Sequence, residues 1–326
     1  MFSVREYLAE IGRRGGIKSR RTLEPETARR MVAIREARRA AQRLDPSNAL
    51  SRRAGTPADT TAAAQAVQDA LQRRLSPAEK LAQVARLSRM VDQLSIEGLK
   101  RRHPAATDEM IRDLSAELRL GGDLAARVSA ARLTFPAANA LQDPIEVAAD
   151  AGARLDALGV AWVIGGSIAS SVHGEARSTQ DVDMVVALLE RHVTPFAKTM
   201  GREYYVDTDA MRLAVRSGAS FNAVHFASSI KVDFFVAGDD PFEAERLRSR
   251  QRIEMPNAVL YVDTAEHTLL RKLEWYRRGG AVSERQWPDV QAIAGIQGES
   301  LHQEHLRLWA GRMGVTDLLE RVMRDA

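Results

Sequence analysis

The stretch VAWVIGGSIASSVHGEARSTQDVDMVV, residues 160–186, narrows the fold more than any other part of this chain. An apolar run ends in two glycines and a serine, a short helical segment follows, and a second apolar run carries two acids one residue apart. Such a pattern reads as strand, helix, strand. Residues i and i+2 of a strand share a face, so Asp181 and Asp183 project together while Val182 and Met184 point the other way. Two carboxylates on one face of an apolar strand repel each other unless a cation lies between them, and their oxygen donors suit Mg²⁺. A third acid, Asp233, interrupts another apolar strand, IKVDFFVAG. Three carboxylates converging from neighbouring strands hold two Mg²⁺ ions, one for the phosphates of a nucleotide and one to activate an attacking hydroxyl.

Gly165, Gly166 and Ser167 supply what phosphates require. Glycines allow close backbone approach, and the helix they open presents unpaired N–H groups with the positive end of its dipole. Arg177 and Thr179 fall between this loop and the acid pair, in the same unit. For Arg177 the alternative is a salt bridge to Glu175 or Asp181. The chain has no Walker-type Gly-Lys-Ser/Thr and no Gly-x-Gly-x-x-Gly, which argues against the two commonest nucleotide folds.

Around this unit the elements mix. DPIEVAADAGARLDALG reads as an amphipathic helix, LERHVTPFAKTMG as another, and strands are expected near 204–206, 220–226 and 230–237. Helices follow Thr264. The expected fold is α+β, a small mixed sheet with C-terminal helices, preceded by an all-helical N-terminal region. Domain boundaries are expected at 1–44 (basic helical arm), 45–75 (linker rich in Pro, Ser, Thr, Ala and Gly), 76–133 (helical hairpin), 134–263 (core) and 264–326. The hairpin begins at SPAEK, with Ser76 as cap, and its first helix is expected to stop at Gly98 to Pro104. His103 reads as solvated, His173 as shaping its loop, and His225 as packing on a strand.

Charge separates the ends of the chain. The net charge is +4, yet residues 1–53 carry 14 Lys/Arg against 6 Asp/Glu. This excess suggests an anionic partner, or alternatively a solvated arm; the near absence of aromatic residues there favours phosphate contacts over base stacking. Zero cysteines exclude disulfides, thiolate metal sites and thiol nucleophiles. With no apolar leader and no run of membrane-spanning length, a soluble, cytoplasmic protein without membrane partners is expected.

GGS followed by RSTQDVD resembles motif I of the nucleotidyltransferases of the polymerase-beta type. R-x-T-x-D-x-D, with the later LLRKLEWYRRGGAVSERQWPDV, is similar to the AbiEii-type toxins of type IV toxin–antitoxin systems and their uncharacterised relatives. The resemblance covers roughly residues 145–289. It implies that Asp233 is the third carboxylate and that Lys272, Arg285 and Asp289 line the nucleotide site, although QWP and the spacing before Asp289 depart from the toxin pattern. The implied activity is Mg²⁺-dependent transfer of NMP from an NTP to an acceptor hydroxyl. The acceptor is RNA, with tRNA favoured, or a partner protein that becomes AMPylated, and a cognate antitoxin or toxin is an implied partner. The alternative is a non-catalytic nucleic-acid-binding or antitoxin protein on the same fold.

Overall fold

A computed structural model describes residues 60–134, 142–279 and 286–325. The basic arm and Arg285 lie outside the described residues. All described residues fall in one compact unit, Arg53–Ala326, and the boundaries expected at 75, 133 and 263 lie within it.

The unit begins with α1 (Ala62–Arg74), which occupies much of the expected linker. Its sequence, AAAQAVQDALQRR, consists largely of strong helix formers behind a Thr61 cap that accepts from the Ala64 N–H. Arg73 then fixes the helix by donating to the Gly295 and Ile296 carbonyls. Ser76 and Glu79 form a reciprocal capping box at the start of α2 (Pro77–Arg102). This helix runs through Gly98 to Arg102, and His103 at its end is buried rather than solvated. The expected second arm of the hairpin is two helices, α3 (Asp108–Leu120) and α4 (Gly122–Thr134). Gly121, with φ of +76°, breaks them apart in a conformation that side chains rarely adopt.

Asp143 and Pro144 then start α5 (Pro144–Asp156), and Arg89 of α2 pairs with the buried Asp143. The sheet follows: β1 (Trp162–Ile164), β2 (Asp181–Val186), β3 (Tyr204–Val206), β4 (Ser220–His225), β5 (Lys231–Val236), β6 (Gln251–Met255) and β7 (Ala258–Val262). Between them run α6 (Gly166–His173), α7 (Glu190–Met200), α8 (Thr208–Ser217) and α9 (Pro241–Ser249). The strand order is β3-β4-β5-β2-β1-β7-β6. Strand β2 is central, antiparallel to β1 and parallel to β5. The β6–β7 hairpin, closed by Pro256 and Asn257, is not among the expected strands, although Ile253/Met255 and Leu260/Val262 show the two-residue alternation of strands.

The pleat sorts each strand between two environments. Val182, Met184 and Val186 join Val232, Phe234, Trp162 and Phe196 in the main core, which α2, α5, α6 and α7 cover. Burying one such side chain contributes roughly 1.5–3 kcal/mol. The opposite face is covered more thinly, with Val163, Val185 and Leu247 of α9 in a small cluster. The acids of β2 and β5 point to this second face, so the core anchors the strands while the acids stay accessible. A second apolar cluster unites α10 (Ala265–Arg278), α11 (Gln286–Gln297), α12 (Gln303–Met313) and α13 (Thr316–Asp325).

Candidate active site

In the β2–β5 ladder Asp183 stands directly opposite Asp233, and Asp181 opposite Lys231. Neighbouring strands lie about 4.8 Å apart, so these four charged side chains share one small patch of the sheet. Lys231 donates to Asp233 at 2.7 Å. Burial alone would lower the Lys231 ammonium, but its bond to Asp233 and the charges of Asp181 and Asp183 outweigh it and raise the pKa. Asp183 shifts upward, first through burial and then through the charges of Asp233 and Asp181. Three carboxylates against one ammonium leave the patch negative. Their oxygens are the kind of donor that a hard cation such as Mg²⁺ takes, but among the described residues the three carboxylates are not a group whose donor atoms all lie within 4.8 Å of one another.

The glycine loop meets this patch. The Gly165 N–H donates to the Asp183 carbonyl at 2.9 Å. Gly166 has a φ of +55°, and a Cβ there would lie 1.8 Å from Asp183 Oδ2. The missing side chain is therefore a requirement of the Asp183 position. A Cβ on Gly165 would lie 2.8 Å from Arg246 Nη2. Arg246 is itself buried, donating to Asp263 at 3.1 Å and to Glu243 at 2.6 Å. Burial opposes its charge, but Asp263 and Glu243 outweigh that and raise its pKa.

Ser167, at the start of α6, is joined to a second charged group. Arg177 donates to Ser167 Oγ at 2.8 Å and grips Asp289 with two N–H groups at 3.1 and 2.9 Å. Lys272 is buried instead of lying on a helix surface, and donates to the same carboxylate at 2.7 Å and to Gln286 at 3.2 Å. Burial lowers the Lys272 pKa against the pull of Asp289. Burial pushes Asp289 up, but Lys272 and Arg177 prevail and hold it below the usual carboxylate range. The salt-bridge partner of Arg177 is thus Asp289, in place of Glu175 or Asp181.

Gly165, Gly166, Ser167, Asp183 and Lys272 line a cavity of about 650 Å³, within the size range of small-molecule sites. Asp181 and Asp233 flank Asp183 on the sheet, and Arg177 with Asp289 braces Ser167 and Lys272. Thr179 has a different position. It is buried, its hydroxyl donates to the Asp181 carbonyl at 3.1 Å, and its N–H donates to Ser88 Oγ of α2 at 3.1 Å. It holds the entry to β2. His225 is buried, as its reading as a packing residue expects, and His173 is buried too.

Several groups at or beside the cavity have no clear signature in the sequence. Lys231 is detectable, because it precedes Asp233 by two residues and so shares its face. Arg246, Asp263 and Arg271 form no local motif, and Trp275 and Arg278 give no signal separable from a solvated helix face.

A family model described as Rv0078B-related antitoxin matches residues 73–139, about one fifth of the chain, which takes in α2, α3 and α4. No curated protein sequence matches the chain. Among solved structures, the chain is similar to an antigenic nucleotidyltransferase-like protein from Paracoccidioides brasiliensis, at 15% identity and a TM-score of 0.36, covering 55% of this chain and 91% of that one. It is also similar to the antibiotic-resistance factor ANT(2'')-Ia, at 14% identity and a TM-score of 0.32, covering 53% and 92% respectively. Among the described residues, no helix is long and apolar enough to cross a membrane.

Proposed function

We propose that the chain is a nucleotidyltransferase that moves NMP from an NTP to an acceptor hydroxyl on RNA, with tRNA the favoured acceptor. The observation that carries this reading is the direct opposition of Asp183 and Asp233 beside Gly166, where a side chain would collide with the Asp183 carboxylate. Asp181, Asp183 and Asp233 are the residues that would hold Mg²⁺, which when bound supplies positive charge for the triphosphate.

The chain's own groups do the rest. The free N–H groups at the start of α6 and the Ser167 hydroxyl receive the phosphates, and Lys272 offsets the negative charge that develops on them. Arg177, held in place by Asp289, keeps Ser167 oriented through its own bond to the hydroxyl. The acceptor hydroxyl attacks the α-phosphorus in line, the bond to the β-phosphate breaks, and pyrophosphate leaves. Asp233 accepts the proton of the attacking hydroxyl. The excess of basic residues in the N-terminal arm suits a polyanionic acceptor.

The antitoxin-family match favours a second role for another part of the chain. Residues 73–139 act as a built-in antitoxin-like segment, because α2 grips the loop that bears Arg177 through Lys80 and Ser88.

The test incubates purified protein with each NTP labelled at the α-phosphate, Mg²⁺, and either total tRNA or cell lysate. Label entering RNA with wild type and not with Asp183→Asn supports the transferase. Label entering protein instead makes the activity AMPylation, and no label with any acceptor leaves the binding role alone.

A further inference from the structure

A second cluster of metal-ligating groups lies among the helices beyond the sheet. Glu245 of α9, His267 of α10 and His305 of α12 each offer one donor atom, and the three atoms all lie within 4.8 Å of one another. His305 Nδ1 lies 3.3 Å and His267 Nε2 4.0 Å from the same Glu245 oxygen, Oε1. Four-coordinate zinc with bonds of about 2.0–2.1 Å places its ligand atoms roughly 3.4 Å apart. Small side-chain rotations therefore bring the three into range.

His267 distinguishes this cluster from an ordinary polar contact. Its side chain is only 2% exposed, and its Nε2 is buried with no hydrogen-bond partner. The 4.0 Å to Glu245 is too long for a hydrogen bond. A bare ring nitrogen in such a place is costly unless something takes its lone pair. The other ring nitrogen, Nδ1, lies 3.1 Å from Thr264 Oγ1, a contact that fixes the ring and directs Nε2 at the cluster. Glu245 is oriented in the same way, since its second oxygen accepts from Trp309 Nε1 at 3.0 Å. Both ligands thus have the outer support that metal-binding side chains require.

We infer that Glu245, His267 and His305 form a zinc-class metal site, separate from the carboxylate patch of the sheet. Two imidazoles and a carboxylate select a transition metal such as Zn²⁺ over Mg²⁺, which prefers an all-oxygen shell. The ion ties α9 to α10 and α12. Residue 246 follows Glu245 directly, so the same tie holds Arg246 beneath Gly165.

The experiment uses the full chain, stripped with chelator and then titrated with Zn²⁺ in excess Mg²⁺, which occupies oxygen-only sites. Calorimetry is expected to show one equivalent of Zn²⁺, and Co²⁺ the visible absorption of a low-coordinate site with nitrogen ligands. His267→Ala and His305→Gln are each expected to weaken binding by at least about 100-fold, while Asp183→Asn leaves it unchanged. Circular dichroism of each variant separates a lost ligand from a lost fold, and the wild-type Co²⁺ spectrum tests the site without any substitution. Absence of Zn²⁺ binding by wild type, a Co²⁺ spectrum of all-oxygen octahedral type, or undiminished binding in both folded histidine variants would overturn the assignment.

Discussion

Asp183 and Asp233 face each other across parallel strands, one residue against one, with Gly166 packed against the first of them. Like charges held this close destabilise the fold. Asp183→Asn is therefore expected to raise the melting temperature of the metal-free protein by several degrees while abolishing nucleotidyl transfer. Scanning calorimetry and the labelled-NTP assay read the two effects separately; a lower melting temperature would show that Asp183 contributes stability.

Gly166→Ala tests the loop. The added methyl would overlap the Asp183 carboxylate, and φ at this position is unfavourable to any side chain. The expected outcome is a stability loss of about 1–3 kcal/mol with NTP affinity reduced by at least tenfold. Chemical denaturation and nucleotide titration measure these, and unchanged affinity would place the phosphates elsewhere.

Asp289 neutralises two cations at once. In Asp289→Asn, Lys272 is left buried beside Arg177 without its hydrogen-bonded counter-charge, a loss of about 3–5 kcal/mol. Combining it with Lys272→Met is expected to recover part of that loss, because the unpaired ammonium is removed. A double-mutant cycle gives the coupling, and strict additivity would mean that the bond at 2.7 Å contributes nothing.

Acid should weaken the fold through its buried histidines. Burial pushes His225 down to about 4 and lowers His173 as well. An unfolded histidine titrates near ~6.5, so below that pH the unfolded chain takes up protons that the folded chain refuses. Stability is fully present above about 6.5 and falls as the pH drops toward 4, by up to about 1.4 kcal/mol per pH unit for each histidine. Melting temperatures across this window check the slope, which His225→Gln should flatten.

The two-residue alternation of β2 and β5 makes the carboxylate patch legible in the amino-acid order alone, because the same rule that buries Val182 and Val232 exposes their neighbours. The rule also reaches Lys231, yet a lysine at a strand start carries no chemical signal until its partners are known. Arg246 and Asp263 are not legible at all: they lie on different elements, and only the packing of α9 against the sheet joins them. Residues 62–74 of the expected linker are helical for a local reason. Alanine-rich sequence resembles low complexity, whereas Thr61 and the Arg73 contacts give it a start and an anchor. His103 shows the reverse error, since a basic turn hides a ring that the third dimension buries.

Lys80 and Ser88 of α2 bond to Gly174 and Thr179, the two ends of the loop that carries Arg177. Were that grip supplied by a separate chain, its occupancy would be set by that chain's abundance. Here the gripping helix is part of the same polypeptide, so its hold on the loop does not depend on the protein concentration. Dilution cannot detach it, and no change in the ratio of two gene products can unbalance it. Freeing the loop takes local unfolding or a cut in the chain, so any control exerted through α2 responds to stress on the molecule and not to stoichiometry.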